Sequence, residues 1–207
     1  MDVVLSTAYW PNLHYFYYVF NSSNIFIEAQ EHYQKQSFRN RTTILSANGV
    51  LDLSIPVKKI AHKQFTSETE ICYKEAWQSN HWRAITSAYR NSPYFEFFEM
   101  ELYDFYKTEH RFLLEYNTQQ LKTVFRILKM KKEITYTSSY ENEVKNCADL
   151  REVIHPKKKT LADEQVSVVL SEPYYQTFGS KFGFTPNLSI LDLLLNKGLE
   201  TVDYFKW

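Results

Sequence analysis

Thr42-Thr43-Ile44-Leu45-Ser46-Ala47-Asn48-Gly49-Val50-Leu51-Asp52-Leu53-Ser54-Ile55-Pro56-Val57 places two strand-like runs on either side of Asn48-Gly49. Both turn residues tolerate positive φ, so the pair reads as a two-residue connection between antiparallel strands. A turn at that point sets Leu51 beside Ser46, Leu53 beside Ile44 and Ile55 beside Thr42. These residues share one face, and Asp52 and Ser54 take the other, so one side is core and the other is wet or functional. Pro56 has no N–H to give to a ladder, so the strand ends there or runs along an edge.

Just upstream lies Glu31-His32-Tyr33-Gln34-Lys35-Gln36-Ser37-Phe38-Arg39-Asn40-Arg41-Thr42. It has a donor or acceptor at every position but Phe38 and contains no Gly or Pro, so it is not an ordinary tight turn. The apolar pattern Ile25–Ala29 precedes it, and the hairpin comes after it. A polar cluster held between two core strands reads as a site on a rigid frame.

Further out, Val3-Val4-Leu5 and Ile134–Thr137 read as strands, and Tyr15–Phe20 as a helical turn. Asn80 suits the cap of a helix over His81–Arg90, which Asn91-Ser92-Pro93 stops. Ser92 then caps a helix that holds Tyr94, Phe95, Phe97, Phe98, Leu102, Phe105 and Tyr106 and is apolar nearly all round, hence buried. Asn117 and Gln120 have capping-box spacing, and Leu121, Val124, Phe125 and Leu128 repeat at helical intervals. A last helix runs from Ser189 to Asn196 with Gly198 as its stop. Residues 157–172 carry little pattern, and the polar run Glu141–Asn146 is the one credible boundary, a linker near 141–148. The expected fold is a single α+β domain over residues 1–207, with an antiparallel or mixed sheet and helices packed against it.

Composition narrows the function classes. Lys plus Arg and Asp plus Glu both number 24, so the basic excess of a nucleic-acid binder is missing and no nucleic-acid partner is expected. Cys72 and Cys147 match neither a disulfide framework nor a zinc site, and two free thiols suit a reducing cytoplasm. The six histidines never take HxH or HxxxH spacing, so no metal is expected, and the four glycines leave little material for a phosphate loop. The N-terminus lacks a basic start, and no uncharged apolar run is long enough to span a bilayer.

Several side chains stand out chemically. His81 points along an apolar helix face near a helix start that disfavours imidazolium, so it reads either as a neutral general base or as a hydrogen-bonded core histidine. His14, in an aromatic loop, reads as a second acid or base or as a packing residue beside Tyr15 and Trp10. Asp192 interrupts the apolar run Leu188–Leu195, so it is expected to be partly buried and to need a partner such as Arg41 or Lys58. Its spacing from Ser189 also fits a capping box. His155-Pro156-Lys157-Lys158-Lys159 is a basic loop, either solvated or attractive to phosphate.

Taken in order, these motifs resemble the WbqC-like family. The likeness is carried by Leu5-Ser6-Thr7-Ala8-Tyr9-Trp10-Pro11 with Tyr15-Phe16, by Glu31-His32-Tyr33-Gln34-Lys35-Gln36 with Arg39-Asn40-Arg41, and by Pro56-Val57. It continues through Trp77, His81-Trp82-Arg83, Ala88-Tyr89 and Ser92-Pro93-Tyr94-Phe95 to Phe184–Leu194, Asn196 and Gly198. The resemblance implies a cytoplasmic step in O-antigen or surface-polysaccharide assembly, in which an acyl or aminoacyl group such as glycyl moves onto a sugar or sugar nucleotide. Within that reading His81 takes the proton of the attacking amine or hydroxyl and Asn40 donates to a developing oxyanion. Lys35 and Arg41 hold phosphate or carboxylate, Tyr89 stacks on the sugar, and Asp192 completes the binding set. The alternative is a non-catalytic binding protein for a sugar nucleotide or a biosynthetic partner. The family implies no particular cofactor and no oligomeric state.

Overall fold

The computed structural model describes residues 1–59, 63–142, 144, 146–158 and 163–206. Its strands form two units, a four-stranded parallel sheet and an antiparallel hairpin, with helices packed around them in an α+β arrangement. The sheet contains β1 (Asp2–Ser6), β2 (Ile25–Glu28), β5 (Ile134–Tyr136) and β6 (Cys147–Asp149), in the order β5-β2-β1-β6. Every neighbouring pair is parallel, with Val3 opposite Ile25, Ile25 opposite Ile134 and Val3 opposite Ala148. The central strand β1 is covered on both faces, as a parallel sheet requires: Val3, Val4 and Leu5 are all buried. Parallel neighbours need a crossover. Between β1 and β2 it is supplied by α1 (Leu13–Asn21), capped by Asn12, whose Oδ1 accepts the Tyr15 N–H at 3.0 Å.

The hairpin pairs β3 (Arg41–Ser46) with β4 (Gly49–Ser54), in a register offset from the sequence expectation. Leu51 lies opposite Ile44 and Leu53 opposite Thr42, because the turn residues are Ala47 and Asn48 and Ser46 pairs with Gly49. Only Gly49 takes positive φ, at 102°. The Ser46 hydroxyl fixes this choice by donating to the Gly49 carbonyl at 2.8 Å and accepting the Asn48 N–H at 3.3 Å. Leu53 and Ile55 are buried as expected, whereas Leu51, nearer the turn on the same face as Leu53, is exposed.

The helices are α2 (Trp77–Tyr89), α3 (Phe95–Lys107), α4 (Leu113–Ile127), α5 (Glu164–Ser171), α6 (Gly179–Phe182), α7 (Ile190–Lys197) and α8 (Thr201–Tyr204). Two start earlier than their polar residues suggest. α2 begins at Trp77, which leaves Asn80 inside it and puts His81 in the second turn, and α4 begins at Leu113, with Asn117 and Gln120 in its interior. Both amides of α4 are used for tertiary contacts instead: Asn117 Nδ2 donates to the Arg39 carbonyl and Gln120 Oε1 accepts the Trp10 N–H. α3 is less enclosed than its composition suggests, since Phe97 and Met100 are exposed while Leu102, Phe105 and Tyr106 are buried. In the weakly patterned segment, Asp163 caps α5 and Val166, Val169 and Leu170 bury one face. Lys159 lies outside the described residues.

Candidate functional site

The four parallel strands all end at the same edge, and the loops that leave them carry a buried ionic framework. At the end of β1, Arg39 clamps Glu31 through Nε–Oε1 at 2.8 Å, and Ser6 Oγ joins both residues at 2.9 Å. Beside β6, Arg151 bonds Glu28 at 3.0 Å and Asp149 at 2.9 Å, and Glu28 also accepts the Thr137 hydroxyl. Glu28, Glu31, Arg39 and Arg151 are at most 5% exposed. Part of the polar run Glu31–Thr42 is thus turned inward as paired charge that ties the strand ends together.

The strand order reverses direction between β1 and β6, because β2 and β5 lie on one side of β1 and β6 on the other. In open parallel sheets, ligands sit in the crevice outside the carboxyl ends of the strands at such a reversal. A cavity of about 930 Å³ lies against the loops that leave both strands. From the β1 side come Asn12 and His14 at the start of α1; from the β6 side come Ile154, His155, Pro156 and Lys158. The hairpin adds Arg41, Thr43, Val50 and Asp52, α5 adds Leu170 and Ser171, and Thr185, Pro186 and Asn187 close the wall. One part of the lining is cationic and hydroxylic, and the rest, with Phe38, Val50, Ile154 and Leu170, is apolar. That mixture is the usual makeup of a small-molecule site.

His14 is 6% exposed and lines this cavity. Its backbone N–H is held by Asn187 Oδ1 at 2.9 Å, and among the described residues its ring nitrogens have no hydrogen-bond partner. Burial pushes its pKa down to about 4, against a smaller opposing pull from Asp163, so it is neutral at pH 7. Arg41 is half-exposed, with Nε on Ser54 Oγ at 3.2 Å and a loose 3.6 Å contact to Asp52, and its guanidinium is available to an anion.

The other nominated residues stand elsewhere. Lys35 is exposed. Asn40 Nδ2 donates to the Ile55 carbonyl at 2.7 Å and closes the base of the hairpin. Neither lines the cavity. His81 is buried in an aromatic cluster with Tyr9, Trp77 and Tyr116. Its Nδ1 is 2.9 Å from Tyr9 Oη, which is 2.9 Å from Tyr106 Oη, which takes the Trp10 Nε1–H at 2.8 Å. Indole N–H only donates, so the Tyr106 hydroxyl accepts from Trp10. A hydroxyl carries one proton and two acceptor lone pairs, so the other two bonds take their direction from the His81 tautomer: with the proton on Nε2, Tyr106 donates to Tyr9 and Tyr9 to His81 Nδ1, and with it on Nδ1 both bonds run the other way. Burial lowers the His81 pKa to about 4, with the Ser54 backbone carbonyl opposing the shift. Burial, rather than a helix end, is what favours a neutral His81 imidazole at pH 7.

Tyr89 and Asp192 lie together in a second buried group. Asp192 is 1% exposed and accepts Tyr174 Oη at 2.6 Å and Gln176 Nε2 at 3.0 Å. The buried Tyr89 hydroxyl faces the same carboxylate without reaching full hydrogen-bond geometry. Burial raises the Asp192 pKa to about 6, and the phenol and amide donors oppose the rise. The sequence expectation for its partner is Arg41 or Lys58; the donors are uncharged instead, because α7 packs Asp192 against the segment that carries Tyr174 and Gln176.

The model of the WbqC-like protein family matches residues 7–177. The chain belongs to the WbqC-like family. The match takes in the β1–α1 loop, the ionic framework, the hairpin and α2, and therefore Lys35, Asn40, Arg41, His81 and Tyr89; Asp192 lies beyond it. Among its relatives is the uncharacterised protein Rv1507c of Mycobacterium tuberculosis (strain ATCC 25618 / H37Rv), 27% identical, with the alignment covering 99% of this chain and 96% of that protein. No solved structure matches the chain. Among the described residues, no helix is long and apolar enough to cross a membrane, and no group of three or more His, Cys, Asp or Glu is placed to hold a metal ion.

Of the residues nominated from sequence, the cavity gathers Arg41 together with His14, His155 and Lys158, which read from sequence mainly as packing or surface residues. Asn12 and Asn187 do not stand out in the sequence. Asn12 is visible in hindsight as the polar residue just before the apolar run of α1, but its pairing with a loop some 170 residues away leaves no local mark.

Proposed function

We propose that this WbqC-like chain is a cytoplasmic transferase of O-antigen or surface-polysaccharide assembly that moves an acyl or aminoacyl group, such as glycyl, onto a sugar or sugar nucleotide. The observation that carries the reading is the cavity at the carboxyl edge of the parallel sheet, where a neutral buried imidazole, His14, and a guanidinium, Arg41, share one wall. The polysaccharide setting rests on the family resemblance. In this reading Arg41 and Lys158 hold phosphate or carboxylate, and the apolar side receives a ring. The acceptor's amine or hydroxyl attacks the acyl carbon of an activated ester or thioester. The new N–C or O–C bond forms as the bond to the leaving group breaks, and the acceptor's proton passes to His14 and on to the leaving group.

The alternative, a binding protein that uses the same cavity without turnover, is favoured by one observation: His81, the base nominated from sequence, is held in a relay within the aromatic core. Thermal-shift screening with nucleotide sugars, acyl carriers and amino acids tests both readings, since a ligand that binds the folded state raises the melting temperature by mass action. Stabilisation by a nucleotide sugar that Arg41→Gln abolishes supports the cavity. Turnover that falls roughly a hundredfold in His14→Gln, with binding kept, supports the transferase. Binding without turnover leaves the binding protein, and stabilisation that Arg41→Gln and Lys158→Gln leave intact overturns the site.

A further inference from the structure

Away from the strand ends, the segment after β4 enters a second, separate cavity of about 830 Å³. Three extended segments run side by side beneath it. Lys58 N–H bonds the Glu70 carbonyl at 2.9 Å, Cys72 N–H the Pro56 carbonyl at 2.8 Å, and Ile71 N–H the Arg111 carbonyl at 2.9 Å. This pairing places Lys58, Glu70 and Arg111 in one row across the segments. Glu70 takes Lys58 on one carboxylate oxygen and the Arg111 Nε and NH2 on the other, at 3.0 and 2.8 Å. Lys59 and Lys74 stand on the same wall, so the cations outnumber Glu70 and Glu109. In a chain whose total charge is zero, this is a local segregation of positive charge around an open concavity.

We propose that this cavity is a binding site for a phosphate or pyrophosphate group, distinct from the cavity at the sheet edge. Glu70 already occupies the geometry that such a group uses: one oxygen on a lysine ammonium and one on a guanidinium fork. A multiply charged phosphate brings more oxygens than the carboxylate has, so it engages Lys74 and Arg111 together while Lys58 is shared with Glu70. Glu70 then acts as a resident competitor that sets the affinity. The same headgroup chemistry is carried by a soluble phosphate ester and by a lipid headgroup, and the two sources differ in the group esterified to the phosphate.

The probes are inorganic pyrophosphate, by calorimetry on the full chain at low ionic strength, and vesicles of neutral lipid with and without an anionic phospholipid. Saturable pyrophosphate binding that weakens about tenfold in Lys74→Gln or Arg111→Gln, weakens with added salt and persists in Arg41→Gln is the expected result. Glu70→Gln is expected to tighten it several-fold, because it removes a fixed negative charge and frees two cations; a site held together by Glu70 would lose binding instead. Flotation with anionic vesicles, lost in the same variants, assigns the group to a lipid headgroup, and its absence assigns it to a soluble ester. Binding that is lost in Arg41→Gln, or that Lys74→Gln and Arg111→Gln leave unchanged, overturns this site while leaving the sheet-edge cavity standing. No saturable binding at all overturns it as well.

Discussion

Trp10 and His81 are joined through the hydroxyls of Tyr106 and Tyr9 by three successive bonds of 2.8, 2.9 and 2.9 Å. Trp10 itself has φ 35°, an unusual value for a large aromatic residue, and it immediately precedes Pro11 and the Asn12 cap of α1. The relay therefore bears on how the β1–α1 loop delivers His14 to the cavity wall.

Tyr9→Phe interrupts that relay. It removes the partner of His81 Nδ1 and one of the two partners of the Tyr106 hydroxyl inside the core, which is expected to cost about 1–3 kcal/mol of stability. Chemical denaturation measures the loss. NMR of the imidazole nitrogens reads the direction of the relay, since an Nε2–H tautomer has Tyr9 donating to Nδ1 and an Nδ1–H tautomer has the imidazole donating to Tyr9.

The two buried histidines make stability fall with acid. His14 and His81 each have a folded pKa of about 4, below the ordinary 6.5, so the unfolded chain binds their protons first as pH drops. Their contribution is fully present above pH 6.5 and is lost as pH falls toward 4, on the order of 3 kcal/mol for each. His81→Gln, whose amide oxygen can still accept from Tyr9, is expected to flatten the slope between pH 7 and 4 relative to the wild type. Unfolding free energies at the two pH values check this.

Asp192 has the opposite sign. Its folded pKa, about 6, exceeds the ordinary 3.8, so its contribution is present below pH 3.8 and is lost as pH rises through 6. At pH 7.5 the buried charge costs on the order of 3 kcal/mol. Asp192→Asn is expected to gain stability relative to wild type at pH 7.5 and to lose that gain at pH 4.5. A gain that is equal at both pH values excludes a titrating Asp192.

Glu31→Gln is expected to be among the most damaging single changes in the framework at the strand ends. It leaves Arg39, 3% exposed, without a charged partner, a loss of about 3–5 kcal/mol. Soluble yield and far-UV circular dichroism report it, with the exposed Lys35→Gln as a control near wild type.

Gly198→Ala tests the stop after α7. Gly198 has φ 58°, and a Cβ there would meet the Tyr94 ring at 2.5 Å. Left-handed strain and the clash together are expected to cost roughly 2 kcal/mol or more, read as a lowered melting temperature.

How much of this protein is legible in its sequence depends on the range of the interactions. The hairpin, the Gly198 stop and the helical spacing of Leu121, Val124, Phe125 and Leu128 are local patterns, and all three exist in the structure. The parallel sheet is not legible in the same way. β6 is the three residues Cys147-Ala148-Asp149, too short to show a period, next to a stretch that reads as a linker. The direction of β1, β2 and β5 depends on crossovers rather than on turn chemistry. The site divides along the same line. Arg41 is found by its place in a polar run beside a hairpin, whereas the cavity combines the ends of β1 and β6 with a loop near Asn187, and only the folded chain brings these together. Arg39 and Glu31 read as site chemistry because sequence does not distinguish charges that pair inside from charges that wait for a ligand.

The two outer strands of the sheet, Ile134–Tyr136 and Cys147–Asp149, are only three residues each. An edge this short offers an incoming extended chain little ladder to extend. β1, whose Val3, Val4 and Leu5 are all buried, has neighbours along both sides. Among the described residues the sheet therefore presents no long free border for edge-to-edge stacking into fibrils, and a variant that loosens β6 from β1 exposes the edge of a buried, apolar strand to that hazard.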